Sequence, residues 1–298
     1  MTAYISVNDS GIGSRIKCLI SVMILSENNH FVYWPKNGYS RASFGKLFDN
    51  KIEVKKIPFT NIYYRNFYFF FKPPFRSLPF FYLKKECNLP KNFSSPLYDE
   101  KKNYWYRINN GISIDYQYHK IPAYIKKEYL KTVKKIKFNK KIISTVKKFY
   151  DRYFDDDMIG FQVRTWVDDP RRKNMYNINA FIEILKKISK EKKIYVTTDN
   201  LSVLEDLRKN IDNQIISFSN IDFEKNKKFN TVSSYLSAND DFNVIVELLL
   251  LSKCSTIYGS YLSNFPEVAW WLGDCKARVE ILNKPIKKDY EEIFNLSC

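Results

Sequence analysis

The second half of the chain alternates regularly between strand-like runs and helix-like segments. The strand-like runs are short, apolar and rich in β-branched and aromatic residues, and segments with helical spacing separate them. Strands that alternate with helices in this way form a parallel, doubly wound sheet. The predicted strands are 158–163, 193–199, 214–218, 255–259 and 277–282, and the predicted helices are 178–190, 201–210, 241–253 and 264–272.

The N-terminal segment predicts a further βαβ unit. A strand at 3–7 leads through a glycine turn at 8–14 into a helix that ends near Asn28, and a strand follows at 31–34. Ile16 stands where a dinucleotide-binding fingerprint needs its third glycine, so the turn does not match that fingerprint.

The length of 298 residues exceeds what one core usually serves. We therefore predict an α/β protein of two Rossmann-like lobes with parallel sheets and a cleft between them. The lobes are predicted to be residues 1–137 and 138–298. Residues 60–98, which mix aromatics, bases and prolines, predict strand fragments and loops that cap the first lobe. Residues 121–148 predict a lysine-rich helical stretch.

The net charge of +17 favours an anionic partner, although a composition rich in Lys, Asn, Ile, Tyr and Phe is also typical of an AT-rich genome. Five scattered cysteines and two histidines give no zinc motif and suit a reducing compartment. The apolar run 16–25 contains Lys17 and predicts a core helix, and the run 244–251 is too short to span a bilayer. We expect a cytoplasmic protein whose membrane contact, if any, is peripheral and on the acidic inner face.

Three polar clusters follow strands of the predicted sheet, where doubly wound folds bind ligands. Arg164 ends the first strand of the second half, and Asp199 ends the next. Ser263 follows a later strand and precedes a helix, where free N–H groups suit a phosphate. Each cluster alone also fits an ordinary surface charge or helix cap.

The run "DDD" at 155–157 resembles a metal-binding acidic motif. It precedes a strand, whereas an acidic metal motif usually follows one, so we interpret it as a solvated segment.

The ordered set of motifs resembles the fucosyltransferase superfamily, which includes nodulation, α1,2-, α1,6- and protein O-fucosyltransferases. "SGIGSRIKCLISVMILSE" is similar to the family's G-x-G-N-R/Q loop and helix, and "IGFQVRTWVDD" to its H-x-R motif. "FVYWPKNGYSRASFGKLFD", "IYVTTDN" and "DDFNVIVELLLLSKCSTIYGSYLSNFPEVA" are similar to three further segments. The matches cover about residues 8–49 and 158–270, and the segment between them matches no motif.

The resemblance implies a two-lobed GT-B fold and inverting transfer from GDP-fucose without an essential metal or other cofactor. It makes residues 1–137 the acceptor-side lobe and 138–298 the nucleotide-sugar lobe. Arg164 takes the place of the arginine that holds the donor β-phosphate, and Asp199 lies near the guanosine. The remaining donor-binding residues that the resemblance implies are Gly11, Gly13, Ser14, Arg15, Gln162, Ser260 and Ser263.

Two departures from the family motifs leave the reaction open. Gln162 replaces the histidine of H-x-R and cannot titrate, and Ser14 replaces an asparagine. Asp168 or Asp169, close to Arg164 in sequence, is our candidate for the catalytic base. Both aspartates also fit a solvated loop.

The leading hypothesis is therefore a glycosyltransferase that moves fucose or a similar sugar from a GDP-sugar to a hydroxyl of a glycan or glycolipid. The alternatives are the same fold with another nucleotide-sugar, an inactive relative that binds glycan, and a basic nucleic-acid-binding protein. Nucleic-acid binding is the weakest, because the sequence has no base-reading motif.

Overall fold

A computed structural model describes residues 4–7, 11–25, 30–36, 40–54, 123–165, 176–200, 202–218, 238–261 and 263–283. The predictions for residues 60–98 and for the loop that carries Asp168 and Asp169 lie outside these ranges.

The second half forms a five-stranded parallel sheet, as its alternating pattern predicts. The strand order is β5-β4-β3-β6-β7. Its elements are β3 (Ile159–Val163), α5 (Ile178–Leu185), β4 (Ile194–Thr198), α6 (Ser202–Asn210), β5 (Ile215–Ile216), α7 (Ala238–Leu251), β6 (Thr256–Ser260), α8 (Asn264–Leu272) and β7 (Arg278–Leu282).

The predicted N-terminal βαβ unit is present. Two parallel strands flank the first helix, and a parallel bridge from Val32 to Val54 extends their pairing. The elements are β1 (Tyr4–Val7), α1 (Ile12–Leu25), β2 (His30–Tyr33) and the short α2 (Phe44–Leu47).

The lysine-rich stretch 121–148 is helical, as its sequence predicts, and contains two helices. These are α3 (Ala123–Val133) and α4 (Lys140–Tyr153). Between them Ile136 and Phe138 are both buried, and Phe138 bridges to Phe48, so the chain is extended there. Asn139 then starts α4, because its side chain accepts a hydrogen bond from Lys141 N–H at 2.9 Å.

Two hydrophobic clusters cover the two faces of the sheet. One joins the sheet to α5 and α6 and includes Phe161 and Val196. The other contains side chains of α1, α7 and α8 together, among them Ile16, Leu248 and Val268. The first helix of the chain therefore shares a core with the second half. The predicted division at 137/138 falls between α3 and α4 and stays a prediction.

Candidate functional site

The strand order brings β3 and β6 side by side at the point where the chain connections leave in opposite directions. Strands β4 and β5 lie on one side of this pair, and β7 lies on the other. In open parallel sheets, the crevice outside the carboxyl ends of such a strand pair is where ligands bind. The residues at this crevice edge are Arg164, directly after β3, and Ser260, the last residue of β6.

Ser260 holds the two strand ends together. Its hydroxyl oxygen accepts a hydrogen bond from Arg164 N–H at 2.7 Å, and the hydroxyl donates to the Gln162 carbonyl at 3.2 Å. The backbone N–H of Ser260 donates to Gln162 Oε1 at 3.2 Å. Gln162 thus serves here as a buried acceptor that fixes β6.

Asp199 orients Arg164 from the next strand. Arg164 Nη1 lies 2.7 Å from Asp199 Oδ2, and Asp199 Oδ1 accepts from Thr165 N–H at 2.9 Å. The Asp199 side chain is 7% exposed and the Arg164 side chain 19%, so solvent still reaches the arginine. Charged hydrogen-bond partners in such a partly dry setting fix one orientation of the guanidinium.

The N-terminus of α8 lies against the same edge. Ser263 caps it as predicted, since its hydroxyl oxygen accepts from Phe265 N–H at 3.3 Å, and its own N–H donates to the Ser260 carbonyl at 3.2 Å. Gly259 allows the first turn of α8 to pack closely against β6, because a Cβ on Gly259 would collide with the Pro266 ring. The first backbone N–H groups of α8 therefore start beside Arg164 and Ser260.

The N-terminus of α1 meets that of α8. A Cβ on Gly13 would lie 3.5 Å from backbone and side-chain atoms of Asn264, so the two helix ends are in van der Waals contact. Asn264 Nδ2 donates to Ser14 Oγ at 2.7 Å. Gly11, just before α1, has open space around the position of a Cβ. Two helix ends with positive dipoles thus converge at the crevice, which is an electrostatic setting that suits an anion.

A buried ion pair lies one turn further along both helices, and sequence reasoning missed it. Lys17 Nζ contacts Glu267 Oε2 and lies 3.4 Å from Asn264 Oδ1. Both charged side chains are almost fully buried, at 3% and 1% exposure. Burial raises the pKa of Glu267, and the charge of Lys17 and its hydrogen bond oppose that rise. The sequence feature that could have indicated this pair is Lys17 itself, a lone lysine within the apolar run of α1.

Arg15 lies in the interior rather than at the surface of the crevice. The residue is 1% exposed, and its guanidinium donates to the Pro35 carbonyl at 2.7 Å and lies 5.1 Å from the centre of the Trp34 ring. Its predicted contact with donor or acceptor stays a prediction.

Asp241, in α7, holds the segment 40–42 that follows β2. Its Oδ2 accepts from the Ser40 hydroxyl at 3.0 Å, from Arg41 N–H at 2.7 Å and from Ala42 N–H. Burial raises the pKa of Asp241, and these hydrogen bonds and the charge of Arg15 oppose the rise.

Glu247 is a second buried acid that sequence reasoning missed. It lies in α7, beneath the sheet, and accepts a hydrogen bond from the Thr197 hydroxyl at 2.9 Å. Thr197 pairs in register with Gln162, so the residue that binds this carboxyl lies two residues before Arg164 and Asp199 on their strands. Burial raises the pKa of Glu247 to about 7, against the smaller effect of the Thr197 hydrogen bond. The signal was one acid within "VIVELLLL".

The acidic run 155–157 lies away from the crevice, as predicted. It precedes β3, and its exposed side chains pair with lysines near the start of β4: Asp155 with Lys193 at 2.9 Å, and Asp157 with Lys192. Within the described residues, no three His, Cys, Asp or Glu side chains lie together where they could hold a metal ion. None of the described helices is long and apolar enough to cross a membrane.

Comparison with known proteins gives a likeness in fold and none in sequence. No protein-family model and no curated protein matches the chain. Among solved structures, it is similar to NodZ α1,6-fucosyltransferase soaked with GDP-fucose, at 14% identity and a TM-score of 0.52, over 90% of this chain and 91% of that one. Fucosyltransferase NodZ from Bradyrhizobium matches at 14% identity and a TM-score of 0.51, over 90% of this chain and 92% of that one. A variant of Arabidopsis thaliana FUT1 in complex with GDP matches at 16% identity and a TM-score of 0.51, over 97% of this chain and 72% of that one.

These likenesses extend over nearly the whole chain and confirm the predicted fold class. The chain has the α/β fold of these fucosyltransferases, with the parallel sheet described above.

Proposed function

We propose that the protein is a glycosyltransferase that transfers fucose, or a similar sugar, from a GDP-sugar to a hydroxyl of a glycan or glycolipid, with inversion and without a metal ion. The structures it resembles include one soaked with GDP-fucose and one in complex with GDP. The observation that carries the proposal is Arg164, which is held by Asp199 at the strand crevice beside two helix N-termini.

The proposed transfer reaction needs a group that stabilises negative charge on the leaving phosphate. In a single displacement, the acceptor oxygen attacks the anomeric carbon while the bond from that carbon to the β-phosphate oxygen breaks, and GDP leaves with the electron pair. The configuration inverts because attack and departure are on opposite faces. Negative charge builds on the leaving phosphate, where the Arg164 guanidinium would stabilise it.

The donor would be held by residues around this edge. Helix N–H groups and arginine both bind phosphate oxygens well. From the set predicted from sequence, we assign this role to Gly11, Gly13, Ser14, Gln162, Asp199, Ser260 and Ser263, whereas Arg15 is buried behind them and would support the loop. The acceptor proton must leave to a base, and Asp168 or Asp169, which follow Arg164 in sequence, is our candidate.

The basic charge is proposed to dock the protein on anionic membrane surfaces where lipid-linked acceptors lie. One face of α3 carries a groove of about 470 Å³ lined by Lys126, Lys127, Leu130, Lys131 and Lys134. Lysines near such a surface are attracted by anionic headgroups.

Calorimetric titration and a transfer assay together test the proposal. GDP should bind more tightly than UDP or CMP, and a single-stranded RNA should not bind. Radiolabelled GDP-fucose with a panel of glycan acceptors should then give labelled product. Preference for UDP or CMP would favour another donor, GDP binding without transfer to any acceptor would favour an inactive relative, and tight RNA binding alone would favour a nucleic-acid-binding protein.

A further inference from the structure

We propose that Lys17, Asn264 and Glu267 are positioning residues for the donor site, and that they act by fixing the N-terminal end of α1 against that of α8. This inference rests on the proposed function, because it assumes that a nucleoside diphosphate binds where the two helices converge. None of the three residues was among the site residues predicted from sequence.

The three side chains form one continuous connection between the helices. Asn264, the first residue of α8, donates to Ser14 Oγ at 2.7 Å, and its side-chain carbonyl oxygen lies 3.4 Å from Lys17 Nζ. Lys17 also contacts Glu267, one turn further along α8. Because Ser14 and Lys17 are three residues apart on α1, and Asn264 and Glu267 three apart on α8, each helix presents one face to the other.

The ion pair is a costly way to join two helices. Removing two charges from water is unfavourable, and apolar residues of similar volume often replace a buried pair without loss of stability. The pair is buried, and its sequence neighbours Ile16 and Val268 both belong to one hydrophobic cluster. Apolar side chains would pack there but would allow the helices to slide, whereas the ion pair and amide fix one relative position.

Donor binding at the crevice requires that α1 and α8 keep one fixed relative position. Gly13 contacts Asn264 directly, and Ser263 precedes Asn264 and is bonded to Ser260 at the end of β6. A shift of α1 along α8 would therefore move its first N–H groups away from the edge that carries Arg164. A misplacement of binding or catalytic groups on the order of 1 Å can lower the efficiency of a site by up to about 100-fold.

The decisive comparison is between a double variant that removes the buried pair and one that removes an exposed pair. Lys17→Met/Glu267→Leu leaves no unpaired charge. Lys190→Met/Asp212→Leu removes a pair with 2.5 Å between Nζ and Oδ2 whose side chains are 77% and 69% exposed. Melting temperature, the Kd of GDP, and KM and kcat for GDP-fucose are measured on both and on the wild type.

We expect the first double variant to melt within a few degrees of the wild type, to bind GDP roughly tenfold or more weakly, and to show the loss mainly as a raised donor KM. The exposed-pair variant should match the wild type in every measurement. GDP binding equal to wild type in a folded Lys17→Met/Glu267→Leu protein would overturn the inference and leave the proposed function standing. Failure of the wild type itself to bind GDP would instead remove the proposed function.

A second variant covers the case in which the double variant does not fold. Asn264→Ala keeps the ion pair and the helix but removes the bonds to Ser14 and Lys17. It should melt like the wild type and bind GDP several-fold more weakly. Unchanged GDP affinity in this folded variant would contradict a positioning role.

Discussion

Arg164 Nη1 lies 2.7 Å from Asp199 Oδ2, and this ion pair joins the ends of β3 and β4. Asp199 also accepts from Thr165 N–H, so a single carboxylate holds both the side chain and the following backbone. The guanidinium is therefore oriented before any ligand arrives, which lowers the entropy lost on binding.

Arg164→Ala should weaken GDP binding or slow transfer by at least about 2 kcal/mol, or roughly 30-fold, because it removes a charge-assisted contact and leaves Asp199 without its ion-pair partner. Titration calorimetry and initial rates measure the loss. Arg152→Ala, an exposed arginine on α4, is the matched control and should change neither quantity. Wild-type transfer by Arg164→Ala would remove this residue from the site.

Glu247 should make the protein less stable as pH rises from about 4.5 to about 7. Over this range the folded state keeps the proton on the buried carboxyl while the unfolded state loses it, so the folded state is disfavoured. The full difference is on the order of 3 kcal/mol above the folded-state pKa. Urea denaturation at a series of pH values measures it.

The test of that assignment is Glu247→Gln, which retains an acceptor for the Thr197 hydroxyl without a charge. Above pH 7 this variant should be more stable than the wild type by an amount that vanishes toward pH 4.5. Glu183→Gln, at an exposed position of α5, should follow the wild-type pH profile. Parallel profiles for wild type and Glu247→Gln would show that Glu247 does not cause the pH dependence.

Gly259→Ala should destabilise the protein by about 1–3 kcal/mol, the usual cost of overpacking. The new methyl group would lie 2.8 Å from Pro266 Cβ and closer still to its Cγ, and the proline ring cannot rotate away. Thermal denaturation measures the loss. Gly45→Ala, in α2 with open space around it, is the control and should be neutral or slightly stabilising, because alanine favours helix.

Transfer should continue in EDTA, since arginine and helix N–H groups are proposed to stabilise the leaving GDP without a metal ion. Initial rates with and without the chelator, after exhaustive dialysis, measure this. Activity that disappears and returns with manganese would contradict it.

Vesicles that contain anionic lipid should bind the protein weakly, because each lysine near the membrane surface contributes up to about 1 kcal/mol of attraction. Binding should weaken as the salt concentration rises, because salt screens this attraction. Co-sedimentation compares the wild type with Lys127→Glu/Lys131→Glu, which should bind less. Lys186→Glu/Lys187→Glu makes the same charge change at the end of α5 and should bind like the wild type. Equal binding by both variants would exclude α3 as the docking surface.

The sequence determined the elements and their order, because hydrophobic periodicity is a local property. Predicted strand 158–163 and helix 264–272 lie within one residue of β3 and α8, and Ser263 caps α8 as its position indicated. Since strand ends follow from strand positions, the sequence alone places Arg164 and Asp199 at one edge of the sheet. The sequence did not predict the bounds of α3 and α4, because lysines on both sides of the break suit a helix. The burial of Ile136 and Phe138 between them depends on contacts with distant residues.

Only the tertiary structure decided how the first helix joins the second half. Lys17 and Glu267 are 250 positions apart in the sequence, as are Ser14 and Asn264, and no local pattern pairs them. Their burial depends on α1 packing across α8, which is set by the shape of the whole core. A local pattern specifies which face of a helix is apolar; it does not specify which other helix that face will meet.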